Sequence, residues 1–245
     1  MAGRLVERDA WREGPLHAIF AATTNRENCM SDPLADRLGR CYSSAVHDVL
    51  RAMGHERCVL PSAIKSLAPR GTLAGPVWTV SGRIDRTKSN HETLLEWTGV
   101  LSKAPPGTVI VCQPNTHEIA LMGELSAAAL KLKGVRGYIV DGGTRDVDMI
   151  LELGFPVFCS FATPADIGAR WVPDSFGAPV TIGAVTVSTG DYALADSDGV
   201  VVIPKAMAEE AVTKTEQVVG TENAVRKAIL GGMDPQAAYL KFGKF

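Results

Sequence analysis

The sequence predicts one compact α/β domain of layered helices and strands, on three observations. Strand-like and helix-like stretches alternate between about residues 108 and 160, the pattern of α/β crossovers. Residues 170–203 are β-like with repeated glycines, and the stretch from Pro204 onward is helical. No internal repeat and no linker divides the 245 residues, a length that buries a sizeable core without disulfide staples.

Residues 1–32 are polar and irregular, with Trp11 and Phe20 as large apolar anchors. They read as an N-terminal extension packed on the body or on a neighbouring subunit, with the domain proper over 33–245. From Asp32-Pro33 the apolar residues Leu34, Leu38, Val46, Val49, Leu50 and Met53 recur at helical spacing until Gly54, and Ser43 or Ser44 could cap a second helix. Residues 71–80 carry the apolar and β-branched residues of a strand, with Gly75-Pro76 marking a bend. Residues 81–92 read as a polar loop, Leu94–Leu101 as a short helix and Thr108–Cys112 as a strand. Glu124–Lys133, rich in Ala and Leu, is a helix broken by Gly134. Tyr138–Val140 is a short buried strand, Thr144 a good N-cap for a helix ending at Gly154, and Pro156–Ser160 another strand. Gly220 and Gly231-Gly232 punctuate the final helical region.

Composition excludes several function classes. Lys plus Arg is 25 against 27 Asp plus Glu, a net charge of −2, and the basic residues are scattered. No strong field draws the chain to nucleic acid or an anionic membrane. At 46% hydrophobic and 21% charged residues the chain is an ordinary globular one. The five cysteines (Cys29, Cys41, Cys58, Cys112 and Cys159) form no C-x-x-C pair, so idle thiols of a reducing compartment are expected. The charged first ten residues do not read as a signal peptide, and no apolar run reaches the roughly 20 residues of a membrane helix. A cytoplasmic, soluble protein is the expectation.

Three places concentrate glycine with acidic or basic residues at element ends. Gly123, Glu124, Leu125 and Ser126 open the alanine-rich helix, whose free first-turn amides can hold a carboxylate or phosphate, or can simply be a helix start. Asp141-Gly142-Gly143-Thr144-Arg145-Asp146 lies between a buried strand and a helix. Its glycines would let the backbone approach a ligand closely, Arg145 offers a planar fork for a carboxylate, and Asp146 is a hard donor suited to Mg²⁺ or Mn²⁺. Equally, Asp146 could stabilise a helix N-terminus and Arg145 could pair with Asp141. Asp196-Ser197-Asp198-Gly199 reads as a turn before an apolar strand. The five histidines show no metal-ligand spacing, and there is no P-loop, G-x-G-x-x-G or G-x-S-x-G.

Gly123-Glu124-Leu125, followed 22 residues later by Arg145-Asp146 inside the segment 134–146, resembles the RraA-like family. Leu73–Val80 is similar to that family's early strand and Asp196–Pro204 to its late D-x-D-G-V-V-V-x-P segment. The resemblance covers roughly residues 35–232. It implies a layered β/β/α (swivelling) single-domain fold, assembly as a homotrimer or homohexamer, and active sites at subunit interfaces. The enzymatic members are metal-dependent (class II) aldolases for 4-hydroxy-4-methyl-2-oxoglutarate and 4-carboxy-4-hydroxy-2-oxoadipate. By that likeness the amides over Gly123, Glu124, Leu125 and Ser126 hold the carboxylate of a small 2-keto acid. Arg145 binds the substrate, Asp146 binds Mg²⁺ or Mn²⁺, and Glu124 orients a water that acts as base. A glutamate of a neighbouring subunit approaches the metal through water, and Glu222 is the nearest match by spacing. The family also has a non-catalytic branch, the inhibitors of ribonuclease E, whose best-known bacterial member lacks the aspartate after the arginine. Retention of both Asp141 and Asp146 points to the enzymatic branch. A regulator, or a sugar-acid lyase or hydrolase on the same scaffold, is the alternative. His47, His117 and the loop 81–92 are left as candidates for specificity or as surface residues.

Overall fold

The computed structural model describes residues 32–244, so the expected N-terminal extension lies outside the described residues except for Asp32. Helix α1 (Pro33–Leu38) starts at Asp32, whose carboxylate accepts the Ala35 N–H at 2.9 Å, with proline at the first helical position. Helix α2 (Ser43–Ala52) then packs on the carboxyl-terminal helix α6 (Ala208–Leu230), and α7 (Pro235–Phe242) closes the chain. Gly54 follows α2 at φ 81°, as its position predicts.

Neither Ser43 nor Ser44 caps α2. The cap position is Tyr42, which makes no side-chain cap bond. The capping carboxylate is delivered from across the fold: Asp196 accepts both the backbone N–H and the hydroxyl of Ser43 at 2.7 Å, and Asp198 accepts from the Ser44 hydroxyl at 3.1 Å. The 196–199 segment is thus the expected turn, closed by Asp196 N–H to the Gly199 carbonyl at 3.0 Å, with Gly199 at φ 152°. Because Asp196 replaces a local cap, Asp196→Ala should lower stability by about 1–2 kcal/mol in urea unfolding.

The sheet explains the layering. Among the described residues its nine strands follow the order β1 (Lys65–Ser66), β6 (Val157–Ala162), β5 (Gly137–Thr144), β3 (Val109–Gln113), β2 (Leu73–Ile84), β10 (Tyr192–Ala195) and β11 (Val200–Ile203), with β4 (Ala120–Met122) added on β5 and β7 (Trp171–Phe176) on β2. The strands β3, β4, β5 and β6 run parallel within it; helix α3 (Asn90–Lys103) leads from β2 into the parallel β3, α4 (Glu124–Leu132) joins β4 to β5, and α5 (Val147–Leu153) joins β5 to β6. The long β2 (Leu73–Ile84) is not broken at Gly75-Pro76. Instead it changes partner there: Leu73–Pro76 pair antiparallel with β10 (Tyr192–Ala195), and Val77–Ser81 pair parallel with β3. Proline is tolerated because the ladder to β3 begins at the next residue, Val77.

Alternate residues of this sheet feed two cores. Val80, Ile110, Cys112, Tyr138 and Val140 face α3, α4 and α5, while Val77, Val109, Val111 and Ile139 face a second β layer. That layer is built from β10, β11 (Val200–Ile203) and the hairpin of β8 (Val180–Ile182) with β9 (Val185–Val187). A third cluster, including Leu38, Val46, Leu50, Ile203 and Val212, seats α1, α2 and α6 on the outside of it. The result is the expected layered β/β/α domain. The short β1 (Lys65–Ser66) pairs antiparallel with β6 at the far edge.

Several local expectations change. The supposed loop 81–92 is the end of β2, paired with β7 (Trp171–Phe176), followed by a turn and the start of α3. Ser89 and Glu92 form a reciprocal capping box there. Gly220 does not interrupt α6, which runs 23 residues to Gly231. Cys58, Cys112 and Cys159 are buried, and burial pushes the Cys112 and Cys159 thiols up to about 12 and about 11, as expected of inert packing residues.

Candidate active site

The site forms where β4 and β5 end side by side. Met122 of β4 lies opposite Thr144 of β5. The Met122 carbonyl accepts the Thr144 hydroxyl at 3.1 Å and the Arg145 N–H at 2.8 Å. Thr144 is therefore not the N-cap of α5. Its side chain is committed to β4, and Asp146 occupies the cap position with a left-handed backbone, φ 55° and ψ 41°. This clamp sets Gly123, the residue before α4, against Asp146, the residue before α5.

The approach is close. A Cβ on Gly123 would lie 2.8 Å from Asp146 Oδ2 and 3.2 Å from Arg145 Nε, so any side chain there would displace the charged pair. The Glu124 N–H donates to Asp146 Oδ2 at 3.1 Å. The amides of Leu125 and Ser126 precede the first intrahelical bond, from Ala127 N–H to the Gly123 carbonyl, and stay available in the first turn. Ser126 is fixed by Trp97, whose indole N–H donates to its hydroxyl at 2.9 Å. The Leu125 side chain is 80% exposed, so only its backbone bears on the site.

Arg145 points its Nε to Asp146 Oδ2 at 3.4 Å and its Nη1 to Asp166 Oδ2 at 3.5 Å, and no ion pair joins it to Asp141. Sequence reasoning missed Asp166, which lies in an irregular loop with no motif of its own. Arg145, Asp146, Val147, Ala162, Thr163 and Pro164 line an open cavity of about 350 Å³, at the small end of ligand sites. Glu124, Arg145 and Asp146 are thus brought together, whereas Glu222 is not joined to them by any hydrogen bond or ion pair among the described residues. It lies on α6, 3.4 Å from Lys244 Nζ.

Gly142 and Gly143 serve the fold rather than a ligand. A Cβ at Gly143 would meet the Ile119 carbonyl at 2.6 Å and the Phe161 ring at 2.7 Å, and one at Gly142 would meet Pro114 at 2.9 Å. Asp141 is occupied by Gln113 at 3.1 Å, His117 at 3.0 Å and Ser160 at 3.3 Å, which accounts for His117. His47 lies 3.6 Å from its neighbour Asp48, outside the site.

The left-handed Asp146 gives a stability test that is separate from chemistry. A non-glycine residue in this region costs about 1–2 kcal/mol. Asp146→Gly relieves that strain while losing the Glu124 amide contact, so it should unfold within about 1 kcal/mol of the parent. Asp146→Ala loses the contact and keeps the strain, and should be about 1–2 kcal/mol less stable than the glycine variant in urea titrations.

The parallel strands β4 and β5 thus end at two adjoining helix starts, with an arginine and a carboxylate between them. The chain belongs to the RraA-like family, described as Aldolase/RraA, whose model matches residues 43–202. It is 30% identical over 202 residues to Protein DlpA of Legionella pneumophila, a match covering 81% of this chain but only 32% of that protein. The chain thus spans about a third of that relative's length. It is also 27% identical over 182 residues to a Halalkalibacterium halodurans protein provisionally named a 4-hydroxy-4-methyl-2-oxoglutarate aldolase, covering 74% of this chain and 83% of the other. Among solved structures, RraAS2 of Streptomyces coelicolor, described as an unusual member of the RNase ES inhibitor RraA protein family, superposes with a TM-score of 0.71 at 28% identity. That match covers 81% of this chain and 98% of RraAS2. No helix among the described residues is long and apolar enough to cross a membrane.

Proposed function

We propose that the chain is a divalent-metal-dependent carbon–carbon lyase that cleaves a 4-hydroxy-2-keto acid to pyruvate and a second keto acid, and decarboxylates oxaloacetate as a second activity. The observation that carries this reading is the junction of Gly123–Ser126 with Arg145 and Asp146. The start of α4 meets a guanidinium and a carboxylate there, and the latter two line a cavity.

No group of three or more His, Cys, Asp or Glu side chains converges among the described residues. That argues against a zinc-type cage, but it suits Mg²⁺ or Mn²⁺, which keep most of their waters and take one or two protein carboxylates. Asp146 would hold the ion, which when bound polarises the 2-keto oxygen of the substrate. In a homotrimer or homohexamer a neighbouring subunit's Glu222 would complete the surroundings.

The chain's own residues account for the remaining steps. The amides of Leu125 and Ser126 fix the substrate carboxylate and thereby align the bond to be broken. Glu124 orients the water that takes the proton from the 4-hydroxyl. As that hydroxyl becomes a carbonyl, the carbon–carbon bond breaks and its electrons move onto the 2-keto oxygen. Arg145 stabilises that growing charge with charge-assisted hydrogen bonds, and protonation at carbon then gives pyruvate.

Pyruvate release from oxaloacetate and from 4-hydroxy-2-keto acids tests the proposal. It is expected with Mg²⁺ or Mn²⁺ and is expected to stop with EDTA. Silence across metals and substrates would instead favour a non-catalytic regulator of the RraA kind, or a lyase or hydrolase for another sugar acid.

A further inference from the structure

Arg145 is bracketed by two carboxylates and hydrogen-bonded to neither. Its contacts to Asp146 at 3.4 Å and to Asp166 at 3.5 Å both exceed the about 2.7–3.2 Å of an N–H···O bond. The fork is therefore held by charge while its donors remain free for a ligand. Asp166 itself is immobilised. On one side of it the Ala165 carbonyl accepts the Ala120 N–H at 2.7 Å. On the other, the Ile167 side chain is buried and the Ile167 carbonyl accepts the Trp171 N–H at 3.1 Å. Its own Oδ1 takes the Gly168 N–H at 3.2 Å, and the Ala169 N–H donates to Thr93 at 3.0 Å. Asp166 cannot follow Arg145. It is a fixed negative charge beside the guanidinium of Arg145, which lines the cavity.

We infer that Asp166 is a positioning residue that aligns the Arg145 fork and, by its charge, weakens the resting affinity of the site for 2-keto-acid anions. This rests on the anion-binding role assigned to Arg145 in the proposed lyase. The two effects have opposite signs on binding and turnover. A carboxylate entering the cavity meets the repulsion of Asp166 at several ångströms, so both substrate and the product pyruvate are held less tightly. The same charge keeps the guanidinium directed at the position where the keto oxygen gains its charge. Asp166 thus favours turnover and product release at the expense of ground-state affinity.

Asp166→Asn removes the charge and keeps an oxygen for the Gly168 N–H, so the loop should be preserved. Titration calorimetry of the full chain with oxalate, in buffer containing Mg²⁺, should show the variant binding about three- to thirtyfold more tightly than the parent. In pyruvate-release assays its KM should fall and its kcat should drop about tenfold. Asp166→Glu, which restores the charge, should return oxalate affinity toward the parent value. Oxalate binding by Asp166→Asn that is equal to or weaker than the parent's would overturn the inference. Oxalate binding is read without turnover, so a parent protein that releases no pyruvate counts against the lyase proposal alone.

Discussion

Arg145→Ala is expected to reduce pyruvate release by about 10²–10³-fold, the usual cost of removing one charge contact aimed at a developing oxyanion. Its stability should change little, because the guanidinium makes no hydrogen bond within the fold and its side chain is 40% exposed. The backbone N–H of residue 145, bonded to the Met122 carbonyl at 2.8 Å, is unaffected by the substitution. Arg145→Lys should recover only part of the rate, since an ammonium supplies a point charge and not a planar pair of donors. Steady-state assays beside a urea titration check both statements. A large rate loss with an unchanged unfolding midpoint is the expected pair of results.

Trp171→Ala should have the largest effect on stability, about 3–5 kcal/mol. The indole is fully buried, meets Trp97 edge-on with centroids 5.9 Å apart, and donates its N–H to the Pro114 carbonyl at 2.9 Å. Truncation leaves both a cavity and an unpaired buried carbonyl. The damage should reach the site, because the Trp171 ring packs on Trp97, whose indole N–H holds the Ser126 hydroxyl. Turnover should fall together with the unfolding midpoint, the opposite of the separation expected for Arg145→Ala. Trp171→Phe, which keeps most of the ring volume, should restore much of the midpoint.

Elements with their own local signals were legible in the sequence. Helix α4 is marked by its alanines and ends at Leu132, with Lys133 as its C-cap and Gly134 following at φ 79°. The alternation of strands and helices over 108–160 gave the parallel crossovers. Local signals mislead where a distant residue decides the outcome. Ser43 resembled a cap but receives one from Asp196, far along the chain. Thr144 had the right chemistry for a cap, but pairing with β4 claimed its hydroxyl. The polar end of β2 resembled a loop because its partners are polar as well: Ser81 meets the Ser175 hydroxyl at 2.9 Å, and Arg83 pairs with Asp174. The Ser89–Glu92 capping box was a local signal that could have marked the start of α3.

The site divides in the same way. Arg145 and Asp146, with Gly123–Ser126 at a fixed spacing, could be found because both segments precede helices and resemble one family. The meaning of the nearby glycines could not, since Gly143 is required by the Ile119 carbonyl and the Phe161 ring, which only the folded chain brings near. Asp166 was invisible for the same reason. It is placed by loop bonds to β4 and α3 and not by a pattern of neighbours.

The most direct test of the account is pyruvate release from oxaloacetate across a Mn²⁺ titration, comparing the parent chain with Asp146→Gly, the substitution that removes the carboxylate and relieves the left-handed backbone. The account predicts turnover by the parent that rises with Mn²⁺ and is abolished by EDTA, and no Mn²⁺-dependent turnover by a variant that unfolds at nearly the same urea concentration. Turnover by Asp146→Gly at the parent rate, with the same dependence on Mn²⁺, would contradict it.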